Sequence, residues 1–495
     1  MRKRFLQDEE RVPSVGAALV KRGLLAMFLV VAMSATALAT TVVLEIDDVT
    51  KTFLGQGRLQ VDIPEITKAD AGGARTILLL GSDARYDDKK LGLKPRSDTM
   101  LLVRADPNRD AIAVMSIPRD LAVEIPGHGR DKINSAFENG GERLTVKTVK
   151  KLFEDATGDP FPINNVISVE FGSFRRAVDY IGGVYVDIDR DYFNDNSGGG
   201  ERYAAIDVDA GYQKLMGRDA LDYVRYRHTD NDFIRAARQQ DFLRQAKDQV
   251  GVGKIVSDRR KLTKIFGKYT DSDIHKRRSV LRLLRLVAAS ASNPIVEVHF
   301  KGRVGASYVT VTQKSIDKMT QQFLGAKGSK GPRGELEPKD PAKRRKARKE
   351  VTRLEDASTA GKDQALQAVS GGVRGMPVFY PTKRTSRSLF GGPPRVYDIK
   401  VGGKRYKSYR MVIKRGVVGE YYGLQGTQWK DPPILKGADE TKKIGKREYD
   451  IFMDGDRVRL VAWRTPEAVY WVSNTLLQTL SRRQMLEIAR TAKTL

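Results

Sequence analysis

From Arg75 onward, short apolar runs alternate with amphipathic stretches. TILLLGSD, TMLLVRAD, AIAVMSIPRD, LAVEIPG, VISVEF and GGVYVDI are compact apolar or alternating segments separated by turn-forming residues, a pattern that predicts strands. Between them, GERLTVKTVKKLFEDATG places Leu144, Val149, Leu152 and Phe153 on one helical face, and SFRRAVDYIGG does the same with Phe174, Ala177, Val178 and Ile181. GRDALDYVRYR and RAARQQDFLRQAKDQV continue the helical series, with further helices expected near 276–290 and a strand pair at IVEVHF and SYVTVTQ. Strands interleaved with helices predict a layered α/β domain, a central sheet flanked by helices, over residues 74–324.

The flanks read differently. Gly23 to Leu44 carries no charge and is long enough to cross a bilayer. Lys and Arg at 2, 3, 4, 11, 21 and 22 precede it, so the positive-inside rule predicts a cytosolic tail (1–22), a transmembrane anchor (23–44) and everything beyond on the outer side of the cell membrane. The apolar run continues past ATALA, which ends at Ala39 and is the alternative cleavage site, so an uncleaved single-pass anchor is the preferred reading. Residues 45–73 read as a stalk and 325–371 as a basic linker rich in Gly, Pro and Lys. Residues 372–495, with all three tryptophans and several alternating runs, predict a smaller C-terminal α+β domain. Its Tyr, Trp and Lys content suits either sugar stacking or an aromatic core.

Charge narrows the function. With 88 Lys+Arg against 61 Asp+Glu, the formal charge of +27 implies polyanionic surroundings, and an external body argues for wall polymer or membrane and against nucleic acid. There is no cysteine, and His128, His228, His275 and His299 are the only histidines, which argues against thiolate zinc sites, multi-histidine metal centres and Ser-His triads.

Aspartates and arginines recur at predicted strand ends: Asp83 and Arg85, Arg96 and Asp98, Arg119 and Asp120. YVRYRHTDNDFIRAARQQ adds Arg225, Arg227, Asp232, Arg235, Arg238 and Gln239. Arginine presents a planar fork of donors to phosphate oxygens, and neighbouring carboxylates suit magnesium, a hard cation. Singly, each pair reads as a structural ion pair; convergence on one end of a sheet favours a pyrophosphate site. Arg235, Arg238 and Gln239 share a helical face that Phe242 anchors to the core, and Arg225 and Arg227 would project to one side of an extended segment.

RSDTM (96–100), SIPRD (116–120), the KIN of DKINSAFENGG (132–134), VDYIGGVYVDI (178–188) and GRDALDYVRYRHTDNDFIRAARQQ (217–240) together resemble the LytR-CpsA-Psr (LCP) proteins. The resemblance implies an LCP-type fold with a mixed sheet, and an enzyme that ligates a secondary wall glycopolymer from a polyprenyl-pyrophosphate carrier to peptidoglycan. It implies Asp83 and Asp98 as Mg2+ ligands and catalytic groups with Arg119. Arg85, Arg96, Arg119, Arg225, Arg227, Arg235, Arg238 and Gln239 would clamp the pyrophosphate, with Lys132 and Asn134 ordering the adjoining loop. A prenyl tail needs an apolar tunnel; Phe171, Phe174, Val178, Ile181, Leu215, Met216 and Leu221 could line one, although core packing is the default for such residues. The rivals are a lipid-pyrophosphate hydrolase with the same site and a non-catalytic surface protein that binds anionic wall polymer.

Overall fold

Alternate residues of the apolar runs fall on opposite faces of one sheet. Leu78, Leu80, Met100, Leu102, Ala113 and Met115 turn to one side, where they are almost completely buried. The computed structural model describes residues 63–68, 73–82, 97–109, 111–197, 205–226, 232–249, 270–273, 286, 293–300, 302–305, 307–326, 353–415 and 420–495. The proposed tail and anchor, 1–44, lie outside them; among the described residues, no helix is long and apolar enough to cross a membrane.

The first half opens with β1 (Arg75–Ser82), β2 (Ser97–Ala105), β3 (Ile112–Ile117), β4 (Ala122–Ile125) and β5 (Gly129–Lys132), followed by helix α1 (Ser135–Thr157). Then come β6 (Asn165–Glu170), α2 (Phe171–Tyr180), β7 (Val184–Ile188), β8 (Tyr192–Asn194), β9 (Ile206–Val208), β10 (Gly211–Leu215), α3 (Gly217–Arg225) and α4 (Asp232–Gln249). β11 (Thr270–Ser272), β12 (Ile295–Val298), β13 (Arg303–Val304), β14 (Val309–Thr310) and α5 (Gln313–Leu324) complete it. Six strands form a mixed sheet in the order β11-β6-β1-β2-β3-β12, with β1 parallel to β6 and β3 parallel to β12. α1 and α5 cover one face through Val146, Val149, Phe153, Ile316, Met319 and Phe323. On the other face Leu79, Leu101, Val103, Ile112 and Val114 pack with Leu243 of α4.

Three expectations change. IVEVHF and SYVTVTQ do not pair with each other: the first supplies β12 beside β3, the second β14 in a small hairpin with β13. The end of the predicted stalk belongs to the body, because Ile63 is buried in the first core and Thr67 N–H donates to the Ile163 carbonyl. The predicted linker contains structure as well: β15 (Leu354–Asp356) and α6 (Ser358–Ser370), whose Ala365 and Ala368 sit in the second core. Alanine makes a helix without a strong apolar stripe, so this one is quiet in the sequence.

The remainder is β-rich: β16 (Phe379–Tyr380), β17 (Lys383–Thr385), β18 (Ser388–Phe390), β19 (Arg395–Val401), β20 (Lys404–Arg415), β21 (Tyr421–Thr427), β22 (Glu440–Ile444), β23 (Arg447–Asp454), β24 (Arg457–Arg464) and β25 (Val469–Ser473), then α7 (Arg482–Thr491) and β26 (Lys493–Thr494). Eight of these form an antiparallel sheet in the order β18-β20-β21-β25-β24-β23-β22, with β19 also on β20. α6 and α7 cover one face; Trp463 is buried there, and Trp471 is buried on the opposite face. Trp429 is partly buried and joins an aromatic group with Tyr185 and Tyr212, ring centroids 5.0 and 6.1 Å away. Trp463 and Trp471 therefore take the core reading.

That opposite face docks on the first half. Tyr212 of β10 is enclosed by Ile399, Ile434, Leu435 and Trp471, its N–H donates to Tyr397 Oη at 2.7 Å, and its own hydroxyl accepts from Ile434 N–H at 3.2 Å. Arg410 Nη1 meets Asp187 Oδ1 at 2.6 Å, and Trp471 Nε1 donates to the other oxygen at 3.3 Å. Arg244 of α4 holds Glu297 of β12 at 2.7 Å, while Asp454 of β23 accepts from Glu297 N–H at 3.0 Å. A ligand atom from each of Glu297, His299 and Asp454 lies within 4.8 Å of the others, and the buried Arg244 and partly buried Arg459 supply positive charge there.

Burial, reinforced by Asp454, pushes the Glu297 carboxyl up from 4.5 to about 7 against the pull of Arg244, and burial raises Asp454 as well. A raised acid binds its proton more tightly in the folded state, so its contribution is complete below about 4.5 and is lost as pH rises through about 7. The melting temperature of the wild-type protein should therefore fall between pH 5 and pH 8 more than that of Glu297→Gln, measured by calorimetry at matched ionic strength.

Candidate active site

The strand register gathers one end of the main sheet. Ser82 pairs with Ser97 in β2 and with Glu170 in β6, and Met100 pairs with Ile117 in β3. The carboxyl ends of β1, β3 and β6 and the start of β2 thus lie side by side, which is where open α/β sheets place ligands. A register shift between Gly81 and Ser82 breaks the ladder here, and Thr99 presses so close to Gly81 that a Cβ would lie 2.9 Å from its Cβ. Asp98 takes its backbone place beside this bulge, adjacent in register to Ser82, the residue before Asp83. Asp83, Arg85, Arg96 and Arg227 lie outside the described residues, as does the Asp98 side chain.

Arg119 and Asp120 follow β3 and turn the chain into β4. Asp120 Oδ1 accepts from Lys132 Nζ at 2.9 Å, and Arg119 Nε stands 3.6 Å from Oδ2. Burial alone would raise this carboxyl, but the Lys132 bond and the charges of Arg119, Lys132 and Arg235 outweigh it and hold Asp120 below its ordinary value. Asp120 therefore stays ionised between its cations. Asn134 N–H donates to the Arg119 carbonyl at 3.2 Å and Ile133 N–H to the Leu121 carbonyl at 2.9 Å, so the KIN segment fixes the Arg119–Asp120 turn through its backbone.

Helix α4 brings Arg235, Arg238 and Gln239, all buried, to this region. Gln239 Nε2 donates to Thr99 Oγ1 at 3.0 Å and to the Val224 carbonyl at 3.2 Å, and its Oε1 accepts from Ser116 Oγ at 3.2 Å. One amide thus joins β2, β3, α3 and α4, which makes Gln239 a positioning residue in this structure. Thr99 and Ser116 are its partners; both stand inside the RSDTM and SIPRD motifs but drew no role from sequence because hydroxyls carry no charge signal. Arg238 is fully enclosed: it donates to the Tyr226 carbonyl and lies over the rings of Tyr192, Tyr223 and Tyr226 at 4.7, 5.5 and 5.6 Å. Arg225 ends helix α3 rather than occupying an extended segment, and its guanidinium covers the Phe171 ring at 4.1 Å, directly after β6. Phe242 packs against Phe174 at 5.6 Å, as the helical spacing predicts.

The suggested tunnel residues form a satellite core. Val178, Leu215 and Leu221 are buried with Tyr192, Tyr223 and Phe242, with Phe171, Phe174 and Ile181 packed against them, while Met216 is exposed. Ordinary packing is what this segment does.

A sequence model of the LytR_cpsA_psr family matches residues 29–324. The chain belongs to the LytR_cpsA_psr family. Among curated LytR_cpsA_psr-type relatives, the polyisoprenyl-teichoic acid–peptidoglycan teichoic acid transferase TagU of Oceanobacillus iheyensis is 32% identical over 266 residues, 51% of this chain and 76% of that protein. The corresponding transferase TagT of Bacillus subtilis is 33% identical over 192 residues, 38% of this chain and 56% of its own length. A solved structure described as TagT bound to LI-WTA covers 54% of this chain and all of its own, at 27% identity and a TM-score of 0.42.

Replacing Gln239 by Leu removes three hydrogen bonds and strands Thr99 and Ser116. Net losses of about 1 kcal/mol per bond predict a stability drop of roughly 2–3 kcal/mol, read from the urea denaturation midpoint.

Proposed function

We propose that this protein transfers a wall glycopolymer from a polyprenyl-pyrophosphate carrier to peptidoglycan. The observation that supports the reading best is the cation cluster of Arg119, Lys132 and Arg235 around Asp120 at the carboxyl end of the sheet, in a chain whose relatives are named as such transferases. Among the described residues the cluster sets three cations beside Asp120, and arginine and lysine donors of this kind suit a diphosphate. Arg225 and Arg227 extend the clamp, joined by Arg85 and Arg96 from the segment between β1 and β2. Arg238 and Gln239 support it from within α4.

In this reading a muropeptide-sugar hydroxyl attacks the carrier at the anomeric carbon or the phosphorus, and polyprenyl pyrophosphate or phosphate leaves. Arg119 and its neighbours stabilise the negative charge that builds on the leaving group. Asp83 and Asp98 offer the hard oxygen donors that suit magnesium, and the β1–β2 register supports their proximity. Bound there, the ion would supply further positive charge beside the diphosphate oxygens. The apolar 23–44 segment would tether the chain to the cell membrane with its body outside, where carrier and peptidoglycan meet. The face carrying Leu79, Val103 and Ile112, only partly buried, suits the prenyl chain better than the filled core around Val178.

Arg119→Ala should lower transfer of a lipid-pyrophosphate-linked glycan by about 100-fold or more. Transfer at the wild-type rate would sink the site assignment. Release of free glycan at equal rates with and without peptidoglycan would favour the hydrolase instead.

A further inference from the structure

The β13–β14 hairpin is fastened to the cation cluster. Val309 N–H donates to the Asp120 carbonyl at 2.8 Å, and Leu121 bridges Val309 in parallel. At the base of the hairpin, Gly302 passes so close to its neighbours that a Cβ would lie 2.4 Å from the Thr310 carbonyl and 3.1 Å from the Phe233 ring of α4. Gly305 N–H donates to the Tyr308 carbonyl at 2.8 Å and closes the turn. The hairpin is thus held both by the Arg119–Asp120 turn and by the helix that carries Arg235.

Tyr308 sits in that closed turn, and 41% of it remains exposed. Lys132 Nζ, itself bonded to Asp120, stands 6.0 Å from the centroid of its ring. A solitary surface tyrosine needs no explanation, but this one stands on a hairpin whose backbone is held from two sides, and it adjoins the charge cluster. An aromatic side chain with two rotatable bonds on a held backbone has little conformational entropy to lose on binding. Its chemical match is a flat surface of C–H bonds, such as one face of a pyranose ring, and the adjacent cations select a pyranose that carries phosphate.

We propose that Tyr308 is the stacking platform for the donor sugar attached directly to the diphosphate, an inference that rests on the transferase reading above. The donor is favoured over the acceptor because Lys132 ties the ring to the cluster assigned to the diphosphate, so the sugar next to that group is the one within reach.

The test uses the full chain and two probes, octaprenyl pyrophosphate and the same carrier bearing one N-acetylhexosamine. Tyr308→Ala should weaken binding of the glycosylated carrier by about 5–10-fold and leave the unglycosylated carrier unchanged, whereas Tyr308→Phe, which keeps the ring, should stay within about twofold of wild type. Equal losses for both carriers, no loss for either, or an effect confined to the KM of the peptidoglycan acceptor would overturn the proposal. If the wild-type protein bound neither carrier, the transferase reading itself would fall, and the inference with it.

Discussion

One carboxylate, Asp120, makes the cation cluster possible. Arg119, Lys132 and Arg235 repel one another, and partial burial removes much of the water that would screen them. Asp120 sits among them, bonded to Lys132 at 2.9 Å and kept ionised by all three charges. The same residue's backbone carbonyl secures the hairpin that carries Tyr308, so electrostatics and architecture meet at one position.

Helix α4 carries this arrangement into the rest of the molecule. Arg235 lies by Asp120 and Gln239 on Thr99, while further along the helix Asp241, Arg244 and Gln245 face the C-terminal half. There Arg244 pairs with Glu297, Gln245 Oε1 accepts from Asp187 N–H at 3.1 Å, and Asp187 is in turn held by Arg410. Buried pairs of this kind are costly to desolvate and contribute little net stability, but breaking one leaves an uncompensated charge. Such groups penalise any other docking of the two halves, and so they specify one orientation.

Much of the first half was legible in the sequence. Its strands alternate and its helices show apolar faces, and both periodicities survive in the structure because each element has one face buried in a large core. The C-terminal hairpin of β23 and β24 was legible for the same reason, with the Gly455–Asp456 turn between two alternating runs. Helix α6 was not, since alanines bury well without marking a stripe. Nor was the interface: Asp187 and Arg410 read as surface charges until their pairing across 223 positions of the chain is known, and Glu297 and Asp454 until the fold sets them beside Arg244.

The site divides along the same line. Residue chemistry by itself determined that arginines and aspartates cluster at strand ends, because charge and spacing are properties of the chain. Only the tertiary structure decided how they are used. Strand register and helix packing set Arg119 and Lys132 around Asp120, closed Arg238 inside tyrosines, and committed Gln239 to Thr99, Ser116 and Val224. Identical side chains differ in role because burial and available partners are set by residues distant in sequence, and no local pattern encodes those.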